Sequence, residues 1–122
     1  MKTVLVADDN TANRELICAI LERHGFRVVC AADGNEALQR MQSEQADIVL
    51  LDIHMPYLDG YEVLQRLRQR PELADLPMVA VTASAMSGDE ERALTAGFTA
   101  YLAKPYEIED VVSLVKRLLR DG

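Results

Sequence analysis

Short apolar runs without alternation constrain this chain more than any other feature. Thr3-Val4-Leu5-Val6-Ala7, Ile48-Val49-Leu50-Leu51 and Met78-Val79-Ala80-Val81 are nearly unbroken. A strand with one face in water alternates apolar and polar side chains. Continuous runs of this length instead predict strands covered on both faces. Arg27-Val28-Val29-Cys30-Ala31 reads as another strand whose polar start suits an edge, and Ala100-Tyr101-Leu102 as a weaker fifth.

Helical spacing fills the intervals. Leu16, Ile17, Ile20 and Leu21 mark a first helix stopped by Gly25, and Ala37, Leu38 and Met41 a second after the Asp33-Gly34 turn. Tyr61, Leu64 and Leu67 mark a third running towards Pro71; Ala93 and Leu94 mark a fourth, with Gly97 as its stop. Ile108, Val111, Val112, Val115, Leu118 and Leu119 form an i, i+3, i+4, i+7 stripe, the clearest helix of all. Strands alternating with helices need right-handed crossovers, which give a parallel sheet with helices on both faces. At 122 residues the chain is expected to be one domain, 1–122, and Arg70 to Pro77 is its longest irregular stretch.

Composition removes several classes of function. With 49% apolar and 27% charged residues the chain is expected to fold around its own core. No apolar run approaches the roughly 20 residues that span a bilayer, and Met1-Lys2-Thr3-Val4 does not open a secretory signal, so a cytoplasmic protein is expected. The net charge is −7, and Lys2, Lys104 and Lys116 are scattered, whereas DNA or RNA binding draws on clustered cations. Arginines among carboxylates, as in Glu22-Arg23 and Glu91-Arg92, read as a solvated face. Cys18 and Cys30 form no CxxC pair and no metal-ligand spacing with His24 or His54, so they read as reduced packing thiols.

In parallel α/β sheets, ligands bind beyond the carboxyl ends of the strands. There the first strand delivers Asp8 and Asp9, the third Asp52, the fourth Thr82, and Lys104 follows the fifth. Any one acid after a strand is most simply a helix cap, and Asp9, Asn10 or Thr11 suits that role. The whole set is harder to explain so. Two carboxylates about 5 Å apart repel by roughly 3 kcal/mol at an effective dielectric near 20, and gathering three calls for a cation beyond one lysine. Oxygen ligands without a His or Cys cluster select a hard ion, and Mg²⁺ fits best. A carboxylate also serves as nucleophile towards phosphorus, with hydroxyl, ammonium and metal sharing the phosphoryl oxygens.

On these residues the chain resembles a receiver domain of two-component signalling, the phosphoacceptor module of response regulators and hybrid histidine kinases. The matching pieces are Val4 to Asn10, Leu50 to Pro56 with Asp59-Gly60, Val81-Thr82-Ala83 and Lys104-Pro105, in order along nearly the whole chain. The resemblance implies a flavodoxin-like (βα)5 three-layer sandwich with a parallel five-stranded sheet of order 2-1-3-4-5. It makes Asp52 the phosphoacceptor, and Asp9 and Asp52 direct Mg²⁺ ligands, with Asp8 acting through water. The third protein ligand is the backbone carbonyl of His54, while its imidazole tunes access of hydrolytic water. Thr82 becomes the switch hydroxyl, Lys104 the cation on the phosphoryl group, Tyr101 the switch aromatic, and Lys104-Pro105 a cis peptide.

The resemblance further implies that a histidine kinase or histidine phosphotransfer protein donates the phosphoryl group. The face of the fourth helix, fifth strand and fifth helix then changes affinity for a downstream protein or, as a homodimer, for a second copy. Such a module is a signalling phosphoacceptor that catalyses its own phosphotransfer and slow autodephosphorylation, not an enzyme with a separate substrate. Two rivals share parts of the pattern. An Asp-nucleophile Mg²⁺ phosphohydrolase would place a second Asp where His54 stands, and a flavodoxin-like FMN-binding module would need a Ser/Thr/Gly phosphate loop in place of Asp8-Asp9-Asn10.

Overall fold

The computed structural model describes residues 1–82, 88–103 and 107–121, with side chains to 119. β1 (Thr3–Ala7), β2 (Arg27–Ala31), β3 (Ile48–Asp52), β4 (Met78–Thr82) and β5 (Ala100–Ala103) alternate with α1 (Thr11–Arg23), α2 (Gly34–Ser43), α3 (Gly60–Arg68), α4 (Asp89–Ala96) and α5 (Ile108–Asp121). All strand pairs are parallel and the order is β2-β1-β3-β4-β5, the expected topology. The polar-started β2 lies on one edge and the short β5 on the other.

The unbroken apolar runs have their explanation in the two cores. Every residue of β1, β3 and β4 is buried. Leu5, Val49, Leu51, Met78 and Ala80 face one layer with Val63, Leu64 and Leu67 of α3 and Phe98. Val4, Val6, Ile48, Leu50, Val79 and Val81 face the other, with Ile17 and Leu21 of α1 and Val111, Val112 and Val115 of α5. Neighbouring side chains in a strand point to opposite faces, so an apolar face is needed on both sides of each central strand.

Local chemistry sets the helix ends. Asn10 caps α1 by accepting from the Asn13 N–H at 2.9 Å, and Gly25 beyond its C-terminus adopts φ 90°, a conformation that favours glycine. Asp59 and Glu62 form a reciprocal capping box on α3. Between Arg70 and Pro77 a 3-10 turn over Pro71–Leu73 interrupts the irregular stretch.

Several expectations need correction. Leu16, Leu94 and Ile108 carry the helical spacing but lie exposed, while their neighbours Ile17, Ala93 and Val111 are buried. Cys18 of α1 and Cys30 of β2, which the sequence treated singly, lie against each other, with Cα atoms 7.2 Å apart, wider than the roughly 4.4–6.8 Å that a disulfide spans. Arg68 was not singled out in the sequence. Its Nη1 donates to the carbonyls of Leu73, Ala74 and Leu76 at 2.9, 3.2 and 2.7 Å, and its Nη2 to Gly97 at 3.1 Å. No helix among the described residues is long and apolar enough to cross a membrane.

Candidate metal and phosphoacceptor site

Strand register assembles the acidic rim. Ala7 pairs with Leu51, so Asp8 and Asp52 are the next residues along two adjacent strands. One carboxylate oxygen from each of Asp8, Asp9 and Asp52 falls in a cluster whose members all lie within 4.8 Å of one another. Asp8 and Asp52 are buried and Asp9 is exposed, so the group opens to solvent on one side. β4 continues the rim: Asp52 pairs with Val81, which places the buried Thr82 one residue beyond, at the strand end.

Backbone hydrogen bonds aim the acids. The Asn10 N–H donates to Asp8 Oδ1 at 2.8 Å, the Asp8 N–H to the Ala31 carbonyl at 3.1 Å, and Arg14 Nη1 to the Asp8 carbonyl at 2.8 Å. The His54 N–H donates to Asp52 Oδ1 at 3.0 Å, while the His54 side chain is exposed. The Ile53 N–H binds the Val81 carbonyl at 3.0 Å and the Gly60 N–H binds the Ile53 carbonyl at 2.9 Å. This folds the β3–α3 loop against Asp52. A Cβ on Gly60 would come within 2.8 Å of the Asp52 carbonyl oxygen, so the close approach requires glycine.

Tyr57, within the same loop, was not singled out in the sequence. The Leu58 N–H bonds the Pro56 carbonyl at 2.8 Å around Tyr57 at φ 69°, a rare γ-turn for a side-chain-bearing residue, and Tyr57 is 83% exposed. Only the Met-Pro before it hinted at a turn.

Tyr101 lies on β5 with its hydroxyl buried and, among the described residues, without a hydrogen-bond partner. Burial first, then the Asp89 carboxylate, the Tyr61 phenol and Glu90, pushes its phenol above the ordinary tyrosine range. His24 ends α1 as its C-cap. Lys104 and the Lys104-Pro105 peptide lie outside the described residues.

The donor set fits a hard divalent cation. It consists of carboxylate oxygens alone, and the charges lie close enough to repel by several kcal/mol unless neutralised.

Comparison with known proteins agrees with this geometry. Residues 4–116 match the family model described as the response regulator receiver domain. The polar-differentiation response regulator DivK of Brucella anthropi is 36% identical over 121 residues, covering 99% of this chain and 98% of that protein. The chemotaxis response regulator CheY4 of Vibrio cholerae superposes with a TM-score of 0.90 at 28% identity, covering 97% of this chain and 98% of that one. The receiver domain of the sensor histidine kinase PA1611 of Pseudomonas aeruginosa, solved with magnesium in its active-site cleft, gives 0.88 at 34% identity and covers 97% of each chain. The chain therefore belongs to the response regulator receiver domain family of two-component signalling.

Proposed function

We propose that Asp52 accepts a phosphoryl group from a phosphohistidine on a histidine kinase or histidine phosphotransfer protein, in a cytoplasmic setting. The observation that carries this reading is the meeting of Asp8, Asp9 and Asp52 oxygens within 4.8 Å at two adjacent strand ends, beside Thr82. The His54 N–H holds Asp52 Oδ1, and a carboxylate oxygen of Asp52 forms the new O–P bond. The P–N bond to the donor imidazole breaks, its electron pair stays on nitrogen, and that nitrogen takes a proton. Asp9 and Asp52, with the His54 backbone carbonyl and Asp8 through water, are the ligands for Mg²⁺. When bound, the ion offsets the charge of the rim and of the incoming phosphoryl oxygens.

Thr82 and Lys104 are assigned to the phosphoryl oxygens and Tyr101 to the response of the α4–β5–α5 face, whose affinity for a partner protein or a second copy then changes. Leu16 of α1 and Ile108 of α5 are exposed and line one small apolar cavity with Ile17, Ile20 and Val111, a surface that suits a partner protein. The test uses phosphoramidate, a small donor with the same P–N bond, in Mg²⁺. The parent chain gains one phosphoryl group by intact mass and Asp52→Asn gains none. Labelling of both alike refutes the assignment.

A further inference from the structure

Cys18 and Cys30 are the chain's two cysteines. Cys18 lies on α1 between Ile17 and Leu21, which pack on one face of the sheet, and Cys30 lies on the edge strand β2 against the same layer. Their sulfur atoms touch. Cys18 is 6% exposed, whereas Cys30 is only half-buried and stands nearer solvent. A single buried thiol is a packing group, but two sulfurs in contact form a dithiol that can be oxidised as a pair.

Both elements that carry the pair also hold Asp8. Arg14 stands one turn before Cys18 on the same face of α1, and its Nη1 donates to the Asp8 carbonyl at 2.8 Å. Ala31 follows Cys30 in β2, and its carbonyl accepts from the Asp8 N–H at 3.1 Å. Asn10, the N-cap of α1, donates its N–H to Asp8 Oδ1 at 2.8 Å. α1 and β2 thus hold Asp8 between them. The Cα atoms of Cys18 and Cys30 are 7.2 Å apart, and a disulfide draws such atoms to within about 6.8 Å. Closing the bridge therefore moves α1 and β2 together by at least about 0.4 Å, and Asp8 cannot follow both.

We propose that Cys18 and Cys30 are a modification site, a dithiol that hydrogen peroxide converts to a disulfide in the folded chain, and that closure weakens Mg²⁺ binding at the acidic rim. The Cys30 sulfur attacks one peroxide oxygen and the O–O bond breaks. Cys30 becomes a sulfenic acid, and the leaving oxygen takes the thiol proton as water. The Cys18 sulfur then attacks the Cys30 sulfur and the S–O bond breaks. That oxygen leaves with the Cys18 proton as a second water. The two thiols give up two protons and two electrons, and the peroxide is reduced to water. The bridge stands apart from the phosphoacceptor reading above; its effect on Mg²⁺ rests on the metal site of that reading. Misaligning one hydrogen bond behind a ligand is expected to lower Mg²⁺ affinity by about two- to fivefold.

The test starts from the reduced, folded chain, treated with hydrogen peroxide and read by intact mass. A chain lighter by two hydrogens is expected, and with two cysteines present that loss identifies the Cys18–Cys30 bridge. Cys30→Ser changes the half-buried position, leaves the buried Cys18 in place and is expected to lose no hydrogen. A parent that gains only oxygen, or that joins to a second chain instead, overturns the site. Mg²⁺ affinity of the reduced and bridged chains is then measured by isothermal titration calorimetry. The stated fall is expected in the bridged parent, is reversed by a phosphine reductant, and is absent from Cys30→Ser treated alike. Equal affinity in the two forms of the parent overturns the coupling to Asp8. A chain that binds no Mg²⁺ in either form removes the metal site and the coupling with it, while the mass still decides the bridge.

Discussion

Replacing Asp52 by asparagine is expected to stabilise the fold when metal is withheld. The Asp8 and Asp52 oxygens lie within 4.8 Å, where two full charges repel by about 3.5 kcal/mol at an effective dielectric of 20. Asparagine keeps an oxygen for the His54 N–H, so the 3.0 Å hydrogen bond survives, but an amide accepts it less strongly than a carboxylate. Asp52 also holds further interactions that asparagine keeps only in part. The net gain is therefore set at about 1–2 kcal/mol, or roughly 3–8 °C in Tm for a domain of this size. Mg²⁺ reverses the order. At a concentration about a hundredfold above its Kd it stabilises the parent by about 2.7 kcal/mol, and the variant, short of one ligand, by less. Thermal unfolding of both chains in EDTA and in Mg²⁺ gives all four values. A variant no more stable than the parent in EDTA, with an equal Mg²⁺ gain, refutes the reasoning.

Gly60→Ala forces a Cβ to within 2.8 Å of the Asp52 carbonyl oxygen, so urea unfolding should show a loss of about 1–3 kcal/mol, with slower phosphoryl labelling of the folded chain. Arg68→Met keeps the stem but leaves the Leu73, Ala74, Leu76 and Gly97 carbonyls without their shared donor; a loss of about 2–3 kcal/mol is expected, and Arg68→Lys, lacking the fork, should not restore it. Tyr101→Phe bears on alkaline stability. The folded chain holds the Tyr101 proton above the pKa of about 10 that the unfolded phenol has, so stability from this group is complete below that value and declines as pH rises past it. Urea unfolding from pH 8 to 11 should show a shallower alkaline decline in Tyr101→Phe than in the parent.

The parts of the fold legible in the sequence were those governed by local periodicity. Unbroken apolar runs marked β1, β3 and β4 because a central strand of a parallel sheet has no wet face, and glycines marked the ends of α1 and α4. The acidic site was legible for the same reason: once the runs are strands, Asp8, Asp9, Asp52 and Thr82 must emerge at one end. Helical spacing shows which residues share a face, but not whether anything covers it, and so Leu16, Leu94 and Ile108 turned out exposed. Cys18 with Cys30, and Tyr61 with Arg92 and Phe98, meet only through tertiary packing between different segments, and no local motif announces them. Arg68 looked like any surface arginine because its partners are backbone carbonyls, which carry no sequence signature.

The central claim is that Asp52, on a metal-binding rim of three carboxylates, takes the phosphoryl group. Intact mass after exposure to acetyl phosphate tests it most directly, with the parent and Asp52→Asn side by side in Mg²⁺ and in EDTA. The parent in Mg²⁺ alone should gain the mass of one phosphoryl group. An unchanged parent, labelling undiminished by EDTA, or a labelled Asp52→Asn chain would contradict it.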